Sequence, residues 1–261
     1  MVPCLSAPYE KLNNRVALVT GAGTGMGRAT ALLFAREGAR VAINYAHSRD
    51  AAEEAVAQIR SDGGTAIAIQ ADVADDSQVR AMVARVEKEF GGLDYLVNNA
   101  GWSTVVPHIN LESLTDEIWD RTLNTNLRGA FYCARAAVPL LKQRPGAAIV
   151  NIASVAAQTG FGSSIAYAAS KGGMVTMTKS LARALAPEIR VNAVCPGAVH
   201  THFANWPDTM FEQAAHVSPL QRIATVEEVA AMVLFLCADA LSITGEIVTI
   251  DSGLAQLGRT R

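Results

Sequence analysis

Cysteine is scarce. The 261 residues hold four, at positions 4, 133, 195 and 237, with no CxxC pair among them. That spacing excludes a disulfide scaffold and fits a reducing compartment. Charge of one sign is equally lacking: 22 Lys and Arg stand against 24 Asp and Glu, for a net charge of -2. No basic block marks a surface for nucleic acid or an anionic membrane. Long apolar runs are missing too. The longest, 229–238, stops at Asp239, far short of the ~20 residues that span a bilayer. Residues 1–15 carry prolines and polar side chains but no apolar signal core. Half of the chain is nevertheless hydrophobic, which excludes disorder and supplies a large core. A cytoplasmic globular protein with neither a nucleic-acid nor a membrane partner is expected.

Short apolar runs alternate with helical spacing from end to end, without a linker or an internal repeat. Strands are predicted at 15–20, 41–45, 65–70, 95–98, 148–152, 190–195 and 247–250. Helices are predicted at 26–37, 50–61, 77–90, 115–142, 165–186 and 226–237. This alternation demands parallel strands with helices on both faces, so the fold class is α/β, a single doubly wound Rossmann-type domain. Residues 1–11 and 254–261 read as tails. The segment 196–219 has no clear period and holds His200, His202, Trp206 and Phe211, which reads as a binding loop or substrate lid.

A glycine-rich turn, TGAGTGMG at 20–27, joins the first strand to the first helix. GxGxxG spacing is not met, since Met26 stands where the third glycine would fall; GxxxGxG is met by Gly21, Gly25 and Gly27. Glycine lets the backbone approach a phosphate, and the helix N-terminus adds unpaired N–H groups. Such a turn serves any tight connection, but after an apolar first strand it points to nucleotide binding. An acid ending the second strand would hold the ribose hydroxyls of NAD. Here that strand ends at Tyr45, and no carboxylate occurs before Asp50. Tyr45, Ser48 and Arg49 are instead suited to a 2′-phosphate, which favours NADP(H) with NAD(H) as the alternative. The competing reading makes Arg49 a solvated residue opening the second helix.

Tyr167 and Lys171 are four apart in a helical segment and share one face. An ammonium beside a phenol favours the phenolate, which suits acid–base chemistry. Ser154 lies just past the strand at 148–152, at the sheet edge where open α/β sheets bind ligands. Asn98, Asn99, Ala100 and Gly101 close another strand at that same edge.

These motifs together resemble the short-chain dehydrogenase/reductase family along about 12–253. The residues that carry the resemblance are TGAGTGMG at 20–27, ADV at 71–73, NNAG at 98–101, Asn126 in NTNL, Ser154, YAASK at 167–171 and PGAVHT at 196–201. The resemblance implies a seven-stranded parallel sheet and hydride transfer between a nicotinamide and a carbonyl or secondary alcohol. It makes Tyr167 the acid–base group, and Lys171 the residue that lowers its pKa and binds the nicotinamide ribose. Ser154 orients the substrate, and Asn126 positions a water linking Lys171 to solvent. Gly21, Thr24, Gly25, Met26 and Gly27 would face the pyrophosphate. Asp72 and Val73 would lie at the adenine, Asn99, Ala100 and Gly101 near the adenosine ribose, and Pro196, Gly197, Val199 and Thr201 around the nicotinamide. A homotetramer or homodimer is implied, through the helices carrying Asn126 and Tyr167.

The chain is most similar to 3-oxoacyl-carrier-protein reductases and small ketone or sugar-alcohol dehydrogenases. Pro139 falls about where the former place a basic docking residue, which argues against a dedicated fatty-acid role. Asp251-Ser252-Gly253 stands where Asp-Gly-Gly is usual, and Thr24 where many NADP(H)-dependent members are basic. Trp102, Gln158, Phe161, Trp206 and Phe211 are expected to line a substrate pocket for a neutral, moderately hydrophobic carbonyl compound. Trp119, Phe131, Cys133, Cys195 and Cys237 read as packing. His200 and His202 lack a third ligand, so no metal is expected. A nucleotide-sensing protein would have the fold without turnover, and an epimerase would need a larger C-terminal domain.

Overall fold

The apolar runs form β1 (Val16–Val19), β2 (Arg40–Tyr45), β3 (Thr65–Gln70), β4 (Tyr95–Asn98), β5 (Ala148–Ile152), β6 (Arg190–Pro196) and β7 (Ile247–Ile250). They pair in parallel as one seven-stranded sheet, in the order β3-β2-β1-β4-β5-β6-β7. The order reverses between β1 and β4, and the glycine turn and NNAG leave the sheet at that point. The computed structural model describes residues 11–201, 203 and 206–258.

The helices are α1 (Gly25–Arg36), α2 (Arg49–Ser61), α3 (Asp76–Phe90), α4 (Asp116–Leu123), α5 (Gly129–Leu141), α6 (Ala156–Thr159), α7 (Ile165–Leu185), α8 (Asp208–Val217), α9 (Val226–Ala238) and α10 (Leu254–Leu257). One core lies under α1, α2 and α9, around Phe34, Ile43, Val56 and Val233. A second lies under α3, α5 and the end of α7, around Met82, Leu96, Leu141 and Leu185.

Three elements depart from the sequence reading. The helix expected at 115–142 is interrupted at Asn124–Arg128 by a π turn, which lets α4 pack on α7 while α5 packs on α3. The segment read as a lid contains α8, whose Phe211 is buried. The expected C-terminal tail contains α10, where the Asp251 carboxylate accepts the Gly253 and Ala255 N–H groups at 2.9 and 2.6 Å. The other expected tail falls outside the described residues except for Lys11, which pairs with Asp239 at 2.8 Å.

Ser252 adopts φ +60° and is buried. That left-handed conformation costs a residue with a Cβ about 1–2 kcal/mol, part of which glycine returns as chain entropy. Ser252→Gly is therefore expected to stabilise the protein by about 0.5–1 kcal/mol and raise Tm by about 1–4 °C. A thermal melt that shows no rise removes strain at this position from the account.

Candidate active site

The glycine turn is held from both sides by asparagines. Asn44, buried in β2, accepts the Gly21 N–H at 3.1 Å and donates to the Ala71 carbonyl at 2.9 Å. Asn99 donates to the Thr20 and Gly21 carbonyls at 2.8 and 3.0 Å. The Thr20 hydroxyl in turn accepts the Asn99 and Ala100 N–H groups, both at 3.0 Å. Gly21 needs to be glycine, with φ +60° and its missing Cβ only 2.8 Å from Ala100 Cα. A Cβ at Gly27 would lie 2.4 Å from Asn99 Nδ2. Asn99 thus spends its side chain on the turn, a role that its expected place beside a ribose did not reveal.

The turn delivers α1 with an uncapped N-terminus: its N-cap Thr24 makes no side-chain cap bond, and no acid stands in its first turn. The N-cap of α2, Ser48, is uncapped as well. The two helix starts meet, since a Cβ on Gly23 would lie 3.0 Å from Ser48 Oγ. Unpaired N–H groups and the positive ends of two helices therefore lie close together, with Asp50 in the first turn of α2. A dinucleotide fits the residues present. Ser48 and Arg49 are exposed there, whereas Tyr45 is buried in the core, so its ring serves packing. Thr201 comes within 3.3 Å of the position a Gly25 Cβ would take, bringing PGAVHT over the turn. A cleft of about 430 Å³ opens there, lined by Thr24, Met26, Arg28, His200, Thr201 and Phe203 among others.

Other expected cofactor residues shape the surrounding backbone. The Asp72 carboxylate accepts the Ala74 N–H at 2.9 Å, and Val73 is buried against Gly129. The Pro196 carbonyl accepts the Val155 N–H at 3.0 Å, and the Gly197 N–H donates to Ile250 at 2.8 Å. Val199 is buried and bridges to Ala224.

Ser154, Tyr167, Lys171 and Asn126 come together at the ends of β4 and β5. Ser154 Oγ accepts the Ala156 N–H at 3.1 Å, which fixes the position of its oxygen. A hydrogen bond also joins it to the Tyr167 hydroxyl. Ser164 caps α7 by accepting the Tyr167 N–H at 3.2 Å. Lys171 is buried; its ammonium donates to the Ile152 carbonyl at 2.7 Å and lies 5.7 Å from the Tyr167 ring centroid. Asn126 sits in the π turn. It accepts the Trp102 N–H at 2.7 Å and donates to the Trp102 carbonyl and the Ser170 hydroxyl at 3.0 and 3.1 Å. Ser170 then donates to the Tyr167 carbonyl at 2.7 Å, a bridge that lay unnoticed inside YAASK.

The electrostatics correct one expectation. Burial pushes the Tyr167 hydroxyl up to about 12, and the Ser154 hydrogen bond recovers only part of that. Burial also pulls the Lys171 ammonium down to about 8. In the protein alone, desolvation outweighs the lowering that a neighbouring ammonium was expected to produce.

The predicted pocket residues divide. Phe161 is exposed at the mouth, beside Gly162, whose Cβ would lie 3.2 Å from Tyr167. Trp102 lies under the Arg121 guanidinium at 4.4 Å. Gln158 points elsewhere: it donates to Thr249 Oγ1 at 3.0 Å and accepts from Gln256 at 3.3 Å, tying α6 to β7 and α10. Phe211 packs on His200 and Trp206, with ring centroids 4.7 and 6.2 Å away. His200 also pairs with Asp208 at 3.0 Å, while His202 lies outside the described residues. Phe203, which the sequence did not flag, lies 6.0 Å from the Tyr167 ring. Phe131, read as packing, is 39% exposed on α5, whereas Cys133, Cys195 and Cys237 are buried.

A family model described as Enoyl-(Acyl carrier protein) reductase matches residues 21–255. The fold also superimposes on a short-chain dehydrogenase from Burkholderia cenocepacia, solved in complex with NADP, with a TM-score of 0.85 and 38% identity; 93% of this chain and 98% of that one are covered. The chain belongs to the short-chain dehydrogenase/reductase family. It is therefore an oxidoreductase of carbonyl and alcohol groups. Its relatives include a 3-oxoacyl-(acyl-carrier-protein) reductase, FabG, of Staphylococcus aureus, 42% identical over 91% of this chain and 97% of that protein. Another solved structure of similar fold is the aldohexose dehydrogenase of Thermoplasma acidophilum, with a TM-score of 0.84 and 33% identity, covering 95% of this chain and 96% of that one. No helix among the described residues is long and apolar enough to cross a membrane.

Proposed function

We propose that the protein is an NADP(H)-dependent reductase of a small carbonyl compound, with Tyr167 as the acid–base group, working in the cytoplasm. The observation that carries this reading is the pair of helix starts without side-chain caps, α1 and α2, meeting at the glycine turn of the sheet whose β5 end carries the Ser154–Tyr167–Lys171 cluster. A pyrophosphate belongs at the first, held by the N–H groups from Gly23 to Gly27. A 2′-phosphate belongs at the second, held by Ser48 and Arg49. The bound nicotinamide supplies or accepts the hydride.

Tyr167 gives its proton to the carbonyl oxygen in reduction and takes it back in oxidation. Ser154, oriented by the Ala156 N–H, donates to the same oxygen and stabilises the charge that develops there, worth several kcal/mol in such sites. Lys171 replenishes the proton. The Trp102 carbonyl and the Ser170 hydroxyl take both N–H groups of the Asn126 amide, so the backbone of the π turn would hold the water that connects Lys171 to solvent.

Cofactor choice rests on Arg49, and Arg49→Ser is expected to weaken NADPH binding about tenfold, the loss of one charge-assisted contact. NADH binding should change less than twofold. Titrating both nucleotides by nicotinamide fluorescence tests this, and equal weakening of the two would remove the 2′-phosphate from the site. Turnover of a ketone and ketoester panel then separates reductase from sensor. Tight NADPH binding without any turnover favours the sensing protein. An NADH preference favours an alcohol or sugar-alcohol dehydrogenase. The 3-oxoacyl relatives justify a β-keto thioester in the panel, while Pro139, exposed on α5, offers a carrier protein no charge. The same reading assembles the chain as a homotetramer or homodimer through α4, α5 and α7, where Phe131 stands exposed.

A further inference from the structure

Two segments at the mouth of the site are stitched into one wall. The Val106 N–H donates to the Ser163 carbonyl at 2.8 Å, and the hydroxyls of Ser103 and Ser163, both buried, share a hydrogen bond. The second segment packs directly on the catalytic tyrosine through Gly162. Its neighbour Phe161 is 73% exposed, a large apolar ring presented to solvent beside the reacting groups. That ring tilts against His108 at 40°, with centroids 6.0 Å apart. His108 Nε2 is itself buried and has no hydrogen-bond partner among the described residues.

An exposed aromatic ring and an orphaned imidazole nitrogen each carry an unfavourable free energy that the right ligand removes. A ligand that lays an apolar body against the exposed Phe161 ring, turns that ring off His108 and offers a hydrogen-bonding group to the nitrogen so uncovered relieves both at once. We infer that His108 and Phe161 are the specificity-determining wall of this enzyme, and that its carbonyl substrate carries a second hydrogen-bonding group, recognised by His108, beyond an apolar segment covered by Phe161. The inference rests on Tyr167 as the acid–base group, because Gly162 is what sets the wall against that residue.

The test compares ethyl acetoacetate with 2-heptanone, which match in chain length but differ in the distal ester. NADPH binding is confirmed first by fluorescence. Using each variant-to-wild-type ratio cancels the different intrinsic reactivity of the two ketones. His108→Phe is expected to lower kcat/KM for ethyl acetoacetate about tenfold more than for 2-heptanone, the discrimination one lost hydrogen bond gives. His108→Gln, which keeps an amide near the Nε2 position, is expected to recover most of that difference, and it serves alone should the phenylalanine variant fail to fold. Phe161→Ala is expected to raise KM for both compounds about tenfold with kcat nearly kept, the mark of lost apolar contact. Equal losses for the two compounds on changing His108 overturn the proposal. Wild-type enzyme that binds NADPH and consumes it with neither compound overturns the substrate class while sparing the acid–base reading. Failure to bind NADPH overturns the NADP(H) assignment and not the acid–base reading, and the same ratios are then measured with NADH to decide this proposal.

Discussion

Tyr167→Phe is expected to lower kcat for carbonyl reduction about 10³-fold, within the range that positioned proton transfer supplies. The substitution removes one oxygen and leaves the ring against Phe203 and Gly162, so packing survives. KM for NADPH should stay within about threefold, because the anion site is built from the backbone of the glycine turn and the start of α2. Single-turnover NADPH oxidation measures the chemical step, and retention of full rate would remove Tyr167 from the mechanism. The pH dependence follows from the same burial. Tyr167, pushed up to about 12, keeps its proton through the neutral range and is ready to donate it. Lys171, pulled down to about 8, keeps its ammonium only below that pH. Reduction should therefore slow as pH rises through about 8, while oxidation, which needs a proton taken from Tyr167, should speed up. Lys171→Met should flatten both limbs.

Arg190→Leu is expected to cost about 3–5 kcal/mol of stability, the scale for removing one partner of a buried charged network. Arg190 opens β6 almost fully buried, and its guanidinium donates to the carbonyls of Leu236, Cys237, Ala240 and Gly146 at 2.5, 2.7, 3.0 and 3.3 Å. Those from Leu236 to Ala240 close the last turn of α9, where carbonyls have no partner in the helix and the dipole favours a cation. Leucine fills the volume but takes the donor from the Leu236 and Cys237 carbonyls, while the Ala240 carbonyl keeps the Ile243 N–H. At about 2–4 °C per kcal/mol, the melting temperature should fall by roughly 6–20 °C. Arg190→Lys should recover part of the loss, since one ammonium reaches fewer acceptors than the planar fork. A melt within 2–3 °C of wild type would show that water serves those carbonyls as well as arginine does.

The strands were legible because most are buried on both faces, and such runs need no periodicity to be seen; β4 and β5 fall where their apolar residues begin and end. The π turn was not legible, because the apolar pattern of 115–142 runs through it and only packing against two different neighbours requires the extra residue. Nor was α8, whose single buried Phe211 leaves too weak a stripe to read. Within the site, the order of motifs along the chain placed the candidate catalytic residues at one sheet edge. Side-chain direction was beyond it: Gln158 follows Ser154 by four residues yet turns to β7, and Phe161 meets His108 from a segment far away in sequence. Asn44 and Ser170 were missed because their work is to hold backbone, which leaves no motif.

The π turn sets the rotational phase of the longest helical run on this face. Each residue advances a helix by about 100°, so one residue more between α4 and α5 swings everything after it by that angle. Up to Leu123 the run is phased to α7, and from Gly129 it is phased to α3. A straight helix could satisfy only one of them. Asn126 stands where the two phases are joined, so its clamp on Trp102 belongs to the seam and to neither helix alone.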